Sequence, residues 1–266
     1  MNLVRVSALA VLTLLLTACA STPPRSTEPA DRPSRPAQVP DALPRVEPRS
    51  SHGNPPFYDV SGRRYLVLSS ADGFLERGVA SWYGPDFHGH NTSSGERYDM
   101  YAMTAAHRTL PIPCYARITN LANGRSIVVR INDRGPFVAN RIVDLSYSAA
   151  MRLDIVRTGT ALVELRTIAP GPESAPTAPL AGQPSTPAPA ALYIQVGAYG
   201  DQGNAQKVID RLQSAGVGQV FSLVSTSGSR LLRRVRIGPI ATVEQFDQLA
   251  ARLAVLGYPE AQLAND

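Results

Sequence analysis

The 266-residue sequence contains only two cysteines and no hydrophobic run long enough for a permanent membrane-spanning helix. Two cysteines, Cys19 and Cys114, are too few for a disulfide framework or a cysteine-based zinc site. Lysine and arginine form no long run interleaved with aromatic residues, and the formal net charge is only +5, so nucleic acid is not an expected partner. A glycine-rich phosphate loop, a metal-ligand cluster and a Ser-His-Asp order are also missing, so we expect neither a metal nor a cofactor.

The first residues are typical of a signal peptide. Arg5 precedes a short apolar run at residues 6–17, and we expect the signal to cover residues 1–18. Cys19 follows directly and resembles the acylated cysteine of a bacterial lipobox, although a plain secretory signal with an incidental cysteine is the alternative. Two or more acyl chains would anchor the protein stably. By resemblance, alanine rather than aspartate at position 20 points to the outer membrane.

Composition separates two foldable regions from two proline-rich segments. Residues 19–56 are rich in Pro, Ser and Arg with almost no apolar periodicity, which predicts an extended tether. Residues 57–73 are expected to bridge this tether to the first domain, either as short strands or as an irregular segment. Residues 169–190 contain seven prolines and predict a second, semi-rigid linker.

Residues 74–168 predict a compact, mainly β domain. Asn123 and Gly124 are a strong turn signal between apolar stretches at 116–120 and 126–131, which predicts a hairpin. Further strands are predicted at residues 78–84, 141–145 and 161–166. Ser146 is placed to cap a helix that ends near Leu153. Several short strands with one short helix favour a small closed barrel.

Residues 191–266 predict a different fold, in which strands alternate with helices. The order is βαββαβ, with helices at 205–215 and 243–256 that are each stopped by a glycine. This order is typical of the ferredoxin-like α+β fold. Helices on one face of its sheet would leave the other face open to a ligand.

Polar side chains beside turns in the first domain are candidates for proton chemistry. Glu96 follows a Ser-Ser-Gly sequence, while Asp133 and Asp144 each lie at the end of a predicted strand. Glycoside cleavage needs a carboxyl group that protonates the leaving oxygen and a second polar group that stabilises charge or activates the acceptor. Glu96 and Asp133 are the candidates for these roles, and His107 could hydrogen-bond a carboxylate or a sugar hydroxyl.

Each candidate also has a structural interpretation. Asp133 could satisfy backbone amides in its own turn, and Glu96 could be a solvated loop carboxylate. His107 could be a structural histidine, and Asp144 fits a helix-entry or barrel-bracing group better than a catalyst. Local sequence alone does not separate catalysis from turn chemistry at these positions.

The sequence resembles the rare lipoprotein A family over nearly its whole length. The resemblance is carried by residues 78–84, 87–89, 92–100, 104–111 and 132–137. It implies a six-stranded double-psi β-barrel that acts as an endolytic peptidoglycan lytic transglycosylase, with Glu96, His107 and Asp133 at the family's active-site positions. One local departure is residues 112–114, where Ile-Pro-Cys stands in place of the family's usual Leu-Gly-Thr.

The C-terminal region resembles SPOR domains, which bind peptidoglycan glycan strands that lack stem peptides. Residues 195–199, 204–205 and 234–239 carry this resemblance. Strand alternation places Gln195, Arg234 and Arg236 opposite the apolar residues, so that they would face the glycan. The alternative is a merely solvated run of arginines.

Together these resemblances imply cleavage of the β-1,4 bond between N-acetylmuramic acid and N-acetylglucosamine, with a 1,6-anhydro product. Asp133 would act first as acid and then as base, Glu96 would support charge or orientation, and His107 would position the substrate. The roles of Asp133 and Glu96 could be reversed. The alternatives are a water-using inverting muramidase, a non-lytic expansin-like peptidoglycan-binding lipoprotein and a structural lipoprotein.

The same resemblances imply a location and a set of partners. We expect the lipid on Cys19 to hold the protein at the periplasmic face of the outer membrane, enriched at the division septum. The expected partners are stem-peptide-free glycan strands and the membrane, with divisome or amidase-linked proteins as further candidates. Cys114 fits a small buried apolar residue rather than a functional thiol.

Overall fold

The computed structural model describes residues 38–170, 192–228 and 230–264. The signal peptide, Cys19 and most of the predicted linker at 169–190 lie outside these residues. Within them, no helix is both long and apolar enough to cross a membrane.

The described part of the predicted tether packs on the barrel instead of extending into solvent. Val39 and Ala42 pack against the barrel core, and the Ala42 amide donates to the Val128 carbonyl at 3.0 Å. The tether prediction is therefore wrong from about residue 39 to residue 56. The proline content correctly indicated that this segment forms no helix or strand. It did not indicate that individual hydrogen bonds would hold the segment on the barrel.

The bridging segment contains a β-hairpin. Strand β1 (Phe57–Val60) pairs antiparallel with β2 (Arg63–Leu66). Tyr58 on β1 donates its hydroxyl proton to the Arg108 carbonyl at 2.7 Å, which attaches the hairpin to the barrel.

Six strands close into a barrel, which confirms the expected architecture. They are β3 (Leu75–Trp82), β4 (Thr104–His107), β5 (Cys114–Asn120), β6 (Ser126–Asp133), β7 (Arg141–Leu145) and β8 (Thr160–Ile168). Their order around the barrel is β3-β7-β4-β6-β5-β8. The pairs β3/β7 and β4/β6 are parallel, and the other four are antiparallel. The parallel pairs bring strand ends from distant parts of the sequence to the same edge.

The barrel interior is filled mainly by small and branched side chains. Ala80, Ala105, Ala116, Val129 and Val143 are all fully buried there. Helix α1 (Tyr147–Leu153) covers the barrel, and the Ser146 hydroxyl caps it by accepting from the Ala149 amide at 3.3 Å. The predicted helix and its cap are confirmed.

The C-terminal region folds as a separate sheet with two helices. Its elements are β9 (Leu192–Tyr199), α2 (Gln202–Ser214), β10 (Val220–Ser227), β11 (Arg230–Ile240), α3 (Val243–Val255) and β12 (Gln262–Leu263). The strand order is β10-β11-β9-β12 and each pair is antiparallel. This is the ferredoxin-like arrangement that the βαββαβ order predicts. Ile194, Val196, Val235 and Ile237 lie in its buried core.

Candidate active site

Strand pairing brings two aspartates to either side of one alanine. Ala106 on β4 pairs with Asp133 on β6 and also with Asp144 on β7. The two aspartate Cα atoms are therefore about 10 Å apart, two strand spacings, and residues directly opposite one another project from the same face of a sheet. A Cβ placed on Gly135 would lie only 3.7 Å from Asp144 Oδ2, so the backbone after Asp133 lies close to the Asp144 carboxyl.

Asp133 is held by one side of its carboxylate. Its Oδ1 accepts hydrogen bonds from the Ser93 amide, the Ser93 hydroxyl and the Arg134 amide, each at 2.7 Å. All of these bonds end on one oxygen, so the other can face a ligand. The hydrogen bonds from backbone amides that were considered for Asp133 are present. They orient the carboxylate and leave its second oxygen available.

Asp144 is partly buried at its place on β7. Burial raises the pKa of its carboxyl, and the nearby charge of Asp133 acts in the same direction. The Ser81 hydroxyl donates a short hydrogen bond to Asp144 Oδ1. Asp144 therefore holds its proton to a higher pH than an ordinary aspartate. The local sequence favoured a bracing role; the missed signal was the convergence of β6 and β7 on β4.

Two tyrosines pack near this pair of aspartates. The rings of Tyr83 and Tyr98 lie 4.2 Å apart between centroids. Burial raises the pKa of both phenols, and the charges of Asp133 and Asp144 contribute to both shifts. The phenols thus remain neutral and provide a low-dielectric wall beside the carboxyl groups.

Glu96 is a carboxylate held in its charged form. Arg130 forms a bidentate pair with it, at 2.7 and 2.8 Å, and Asn132 Nδ2 donates to it at 2.9 Å. These bonds, Arg130 foremost, lower the pKa of Glu96. An ionised carboxylate suits charge stabilisation or orientation better than proton donation. The loop from Thr92 to Glu96 thus lies beside the end of β6, which brings Glu96 and Asp133 to one region.

His107 lies inside the barrel wall. Its side chain is 1% exposed, and Nε2 lies 3.0 Å from a Glu76 carboxylate oxygen. Its Nδ1 accepts from the Thr109 and Leu110 amides, so the ring proton is on Nε2. Burial lowers the pKa of His107, which keeps the ring neutral. The ring nitrogens bond to Glu76 and to backbone amides rather than to Asp133 or Glu96, and the sugar contact expected for His107 stays a prediction.

The arginine face of the C-terminal sheet differs from the expectation at one position. Arg234 donates to Gln195 Oε1 at 3.2 Å and to the Ser225 hydroxyl at 2.9 Å, and it remains partly exposed. Arg236 is only 2% exposed. It lies on the central strand β11 between Gln195 of β9 and Phe221 of β10, which leaves it little contact with solvent. The prediction that Arg236 faces a ligand is therefore wrong for this conformation.

Metal chemistry has no obvious scaffold in the described part of the chain. No group of three or more His, Cys, Asp and Glu side chains there is arranged to hold an ion.

Comparison with known families agrees with this architecture. A family model described as lytic transglycolase matches residues 75–165, and a SPOR-domain model matches residues 188–264. Fold and site together therefore define a lytic transglycosylase of the double-psi β-barrel class, followed by a SPOR domain.

Full-length relatives specify the family further. Three proteins named endolytic peptidoglycan transglycosylase RlpA are similar to this chain. The Pseudomonas aeruginosa protein is 36% identical over 84% of this chain and 80% of its own length. The Neisseria meningitidis serogroup B protein is 41% identical over 73% and 78%, and the Vibrio cholerae protein 48% identical over 59% and 61%. The chain belongs to the RlpA family, which confirms the resemblance to rare lipoprotein A.

A solved structure is also similar to part of the chain. The SPOR domain of RlpA from Pseudomonas aeruginosa aligns with 28% of this chain and 99% of its own length, at 25% identity and a TM-score of 0.27.

Proposed function

We propose that this protein is an endolytic peptidoglycan transglycosylase that cleaves the bond between N-acetylmuramic acid and N-acetylglucosamine in glycan strands lacking stem peptides. The observation that carries the proposal is the pairing of Asp133 and Asp144 across Ala106, with the pKa of Asp144 raised by burial. The names of the relatives support the same activity.

The chemistry requires one carboxyl group that begins protonated. It gives its proton to the leaving oxygen of N-acetylglucosamine as the bond from muramoyl C1 to that oxygen breaks. The same carboxylate then accepts the proton of the C6 hydroxyl, whose oxygen bonds to C1 and closes the 1,6-anhydro ring. The proton balance closes without water and without a covalent enzyme intermediate.

Within the pair, geometry favours Asp144 as the proton-holding group. Its burial raises the pKa of its carboxyl above the ordinary aspartate value, which is the direction that a general acid requires. Asp133, with one carboxylate oxygen left to face a ligand, would stabilise positive charge at C1; the sequence had favoured it as the acid. Glu96, which is ion-paired with Arg130, helps to stabilise this positive charge. His107 acts indirectly, because its backbone carbonyl accepts a hydrogen bond from Arg134 at 3.2 Å.

The products decide between this proposal and its alternatives. Purified protein acting on stem-peptide-free glycan strands should release fragments with anhydro-muramoyl ends, measured by mass spectrometry. Reducing ends would instead indicate a water-using muramidase. Binding without any new ends would indicate a non-lytic, expansin-like lipoprotein.

We further propose that lipid on Cys19 anchors the protein at the periplasmic face of the outer membrane and that the SPOR domain enriches it at the septum during daughter-cell separation. The lipobox-like signal and the SPOR match support this location. A fluorescent fusion lacking residues 191–266 should lose septal enrichment but stay in the membrane fraction. Unchanged septal signal would contradict the role given to the SPOR domain.

A further inference from the structure

The segment that precedes the β1–β2 hairpin contacts residues that hold Glu96 and residues that hold Asp133 in the candidate active site. We call residues 39–54 the strap. The strap lies outside the stretch matched by the lytic transglycolase model, which begins at residue 75. Its first residues attach to the barrel, where Arg152 donates to the Val39 carbonyl at 2.8 Å and pairs with Asp41 at 2.6 Å. The rest of the strap continues toward the loop that carries Glu96.

In the middle of the strap, Glu47 shares an arginine with Glu96. Arg130 Nε and Nη2 donate to the two Glu47 oxygens at 3.0 and 2.8 Å, while Nη1 and Nη2 donate to Glu96. The Tyr115 hydroxyl also donates to Glu47. Glu47 of the strap thus fixes the orientation of the Arg130 guanidinium. The planar guanidinium can then pair with both Glu96 oxygens in a single orientation. The lowered pKa of Glu47, caused first by Arg130, keeps this carboxylate charged.

At its end, the strap holds the residue that follows Asp133. Arg134 donates to the Gly53 carbonyl at 2.8 Å and to Asn54 Oδ1 at 3.1 Å. The Asn54 side chain is itself fixed, because it accepts from the Ile112 amide at 2.9 Å and donates to the Ile112 carbonyl at 2.6 Å. The backbone amide of Arg134 donates to Asp133. Asn54 therefore acts on Asp133 through Arg134.

The strap also touches the loop that binds Asp133. A Cβ on Gly53 would lie 2.6 Å from the Ser93 carbonyl oxygen, and the φ of Gly53 is +73°. The Ser50 hydroxyl donates to the Ser94 carbonyl at 3.2 Å. Glycine at position 53 thus permits a close backbone approach that no other residue allows without displacement. Ser93, which donates two hydrogen bonds to Asp133, therefore lies in close contact with the strap.

We infer that the strap is a positioning part of the active site and that Glu47 and Asn54 are positioning residues for Glu96 and Asp133. The inference rests on the proposed function. The catalytic unit then extends from residue 39 to residue 168. The chain between the anchor and the barrel contributes to the rate of catalysis as well as to the distance that the barrel can extend from the membrane.

The test compares strap variants with a matched ion pair elsewhere on the barrel. Glu164 pairs with Arg77 at 2.9 and 3.0 Å with similar partial burial, so Glu164→Gln controls for loss of a barrel ion pair. In the full chain, Glu47→Gln and Asn54→Ala should each lower kcat about 10- to 100-fold with little change in KM, because misplaced catalytic groups lose rate. Glu164→Gln should stay near wild type.

A second readout separates positioning from stability. The charge of Glu47 raises the pKa of Glu96, so Glu47→Gln should lower that pKa in a carboxyl ¹³C titration of the full chain. Asn54→Ala and Glu164→Gln should leave it unchanged. A merely structural strap would lower activity only in proportion to the folded fraction, measured by circular dichroism, whereas a positioning strap lowers kcat at an unchanged folded fraction.

The outcomes distinguish the strap from the proposed function. If wild type forms anhydro ends but both strap variants match Glu164→Gln, the strap inference is overturned and the function stands. If wild type forms no anhydro ends, the proposed function fails, and the strap inference fails with it because it rests on that function. Should Glu47→Gln unfold, kcat of Asn54→Ala at unchanged folded fraction decides the question.

Discussion

The barrel site and the SPOR sheet both place charged side chains on strands, but they treat these charges in opposite ways. In the barrel, Asp144 is partly buried beside a like charge, and its pKa rises. On the SPOR sheet, Arg234 is partly exposed and bonded to the uncharged Gln195 and Ser225. A perturbed acid is suited to moving a proton, whereas a solvated cation with spare donors is suited to binding. The difference supports the proposed division, with chemistry in the first region and recognition in the second.

The largest effect should come from removing the acid. Asp144→Asn keeps the shape of the side chain and its contact with Ser81 but cannot donate the proton, so cleavage should fall about 10²- to 10⁴-fold. Glycan binding should be retained because the SPOR domain is untouched. Rates of anhydro-end formation and a co-sedimentation assay with glycan strands measure both. Asp133→Asn is the matched variant: if it abolishes cleavage while Asp144→Asn is fully active, Asp133 is the acid.

The next effect concerns two arginines of the SPOR sheet that differ in burial. Arg236→Ala should destabilise the domain by about 3 kcal/mol, because it removes a large, fully buried charged side chain. Arg234→Ala should change the unfolding free energy less, by about 1 kcal/mol, because it removes two hydrogen bonds at a partly exposed site. Urea unfolding followed by fluorescence or circular dichroism compares them. Equal destabilisation by the two substitutions would remove the distinction between a structural and a binding arginine.

For glycan binding by the same sheet, the partly exposed Arg234 should matter more than the buried Arg236. Arg234→Ala should weaken binding to stem-peptide-free glycan about tenfold, the loss of roughly one charge-assisted hydrogen bond. Gln195→Ala should have a smaller effect, because Gln195 brings no charge and orients Arg234 through Oε1. Isothermal titration with soluble glycan fragments checks this. Unaltered affinity in both variants would place the recognition surface elsewhere.

Local signals in the sequence predicted much of this fold. Asn123 and Gly124 marked the β5–β6 hairpin, and Ser146 marked the start of α1. Strand β4 was missed because Thr-Ala-Ala-His has one β-branched residue and no apolar alternation. Ala105 and Ala106 form a strand because the barrel places them between β6 and β7, where small side chains fit. Tertiary pairing overrides local preference there.

The candidate site was less accessible to sequence reasoning than the fold. Glu96 and Asp133 became candidates through their positions beside turns and through the resemblance to a family, but the raised pKa of Asp144 depends on burial that no local pattern encodes. The strap was missed for a similar reason: Glu47 and Arg130 are separated by 83 positions, and the prolines around Glu47 indicated a solvated tether. Long-range ion pairs leave no periodic trace in a sequence.

A further prediction uses the pH dependence of stability at Asp144. Its pKa is higher in the folded than in the unfolded protein, so the contribution of Asp144 to stability is fully present below the ordinary aspartate pKa. That contribution is lost as pH rises through the folded-state pKa. Asp144→Asn should therefore be more stable than wild type at neutral pH, and this advantage should vanish in acid. Thermal unfolding midpoints from pH 3 to pH 8, at matched ionic strength, measure it; a stability difference independent of pH would contradict the raised pKa.

The smallest effect is expected at Cys114, where burial and charge oppose each other within the barrel. Arg134 and Arg130 would lower the pKa of the thiol, but burial outweighs both and raises it to about 12. Since the thiolate is the reactive form, Cys114 should resist iodoacetamide at pH 8 in the folded protein and react after unfolding in urea. Cys114→Ala should leave cleavage unchanged. Rapid alkylation of the folded protein would show that the two arginines prevail over burial, and burial would then be a weaker guide to Asp144 as well.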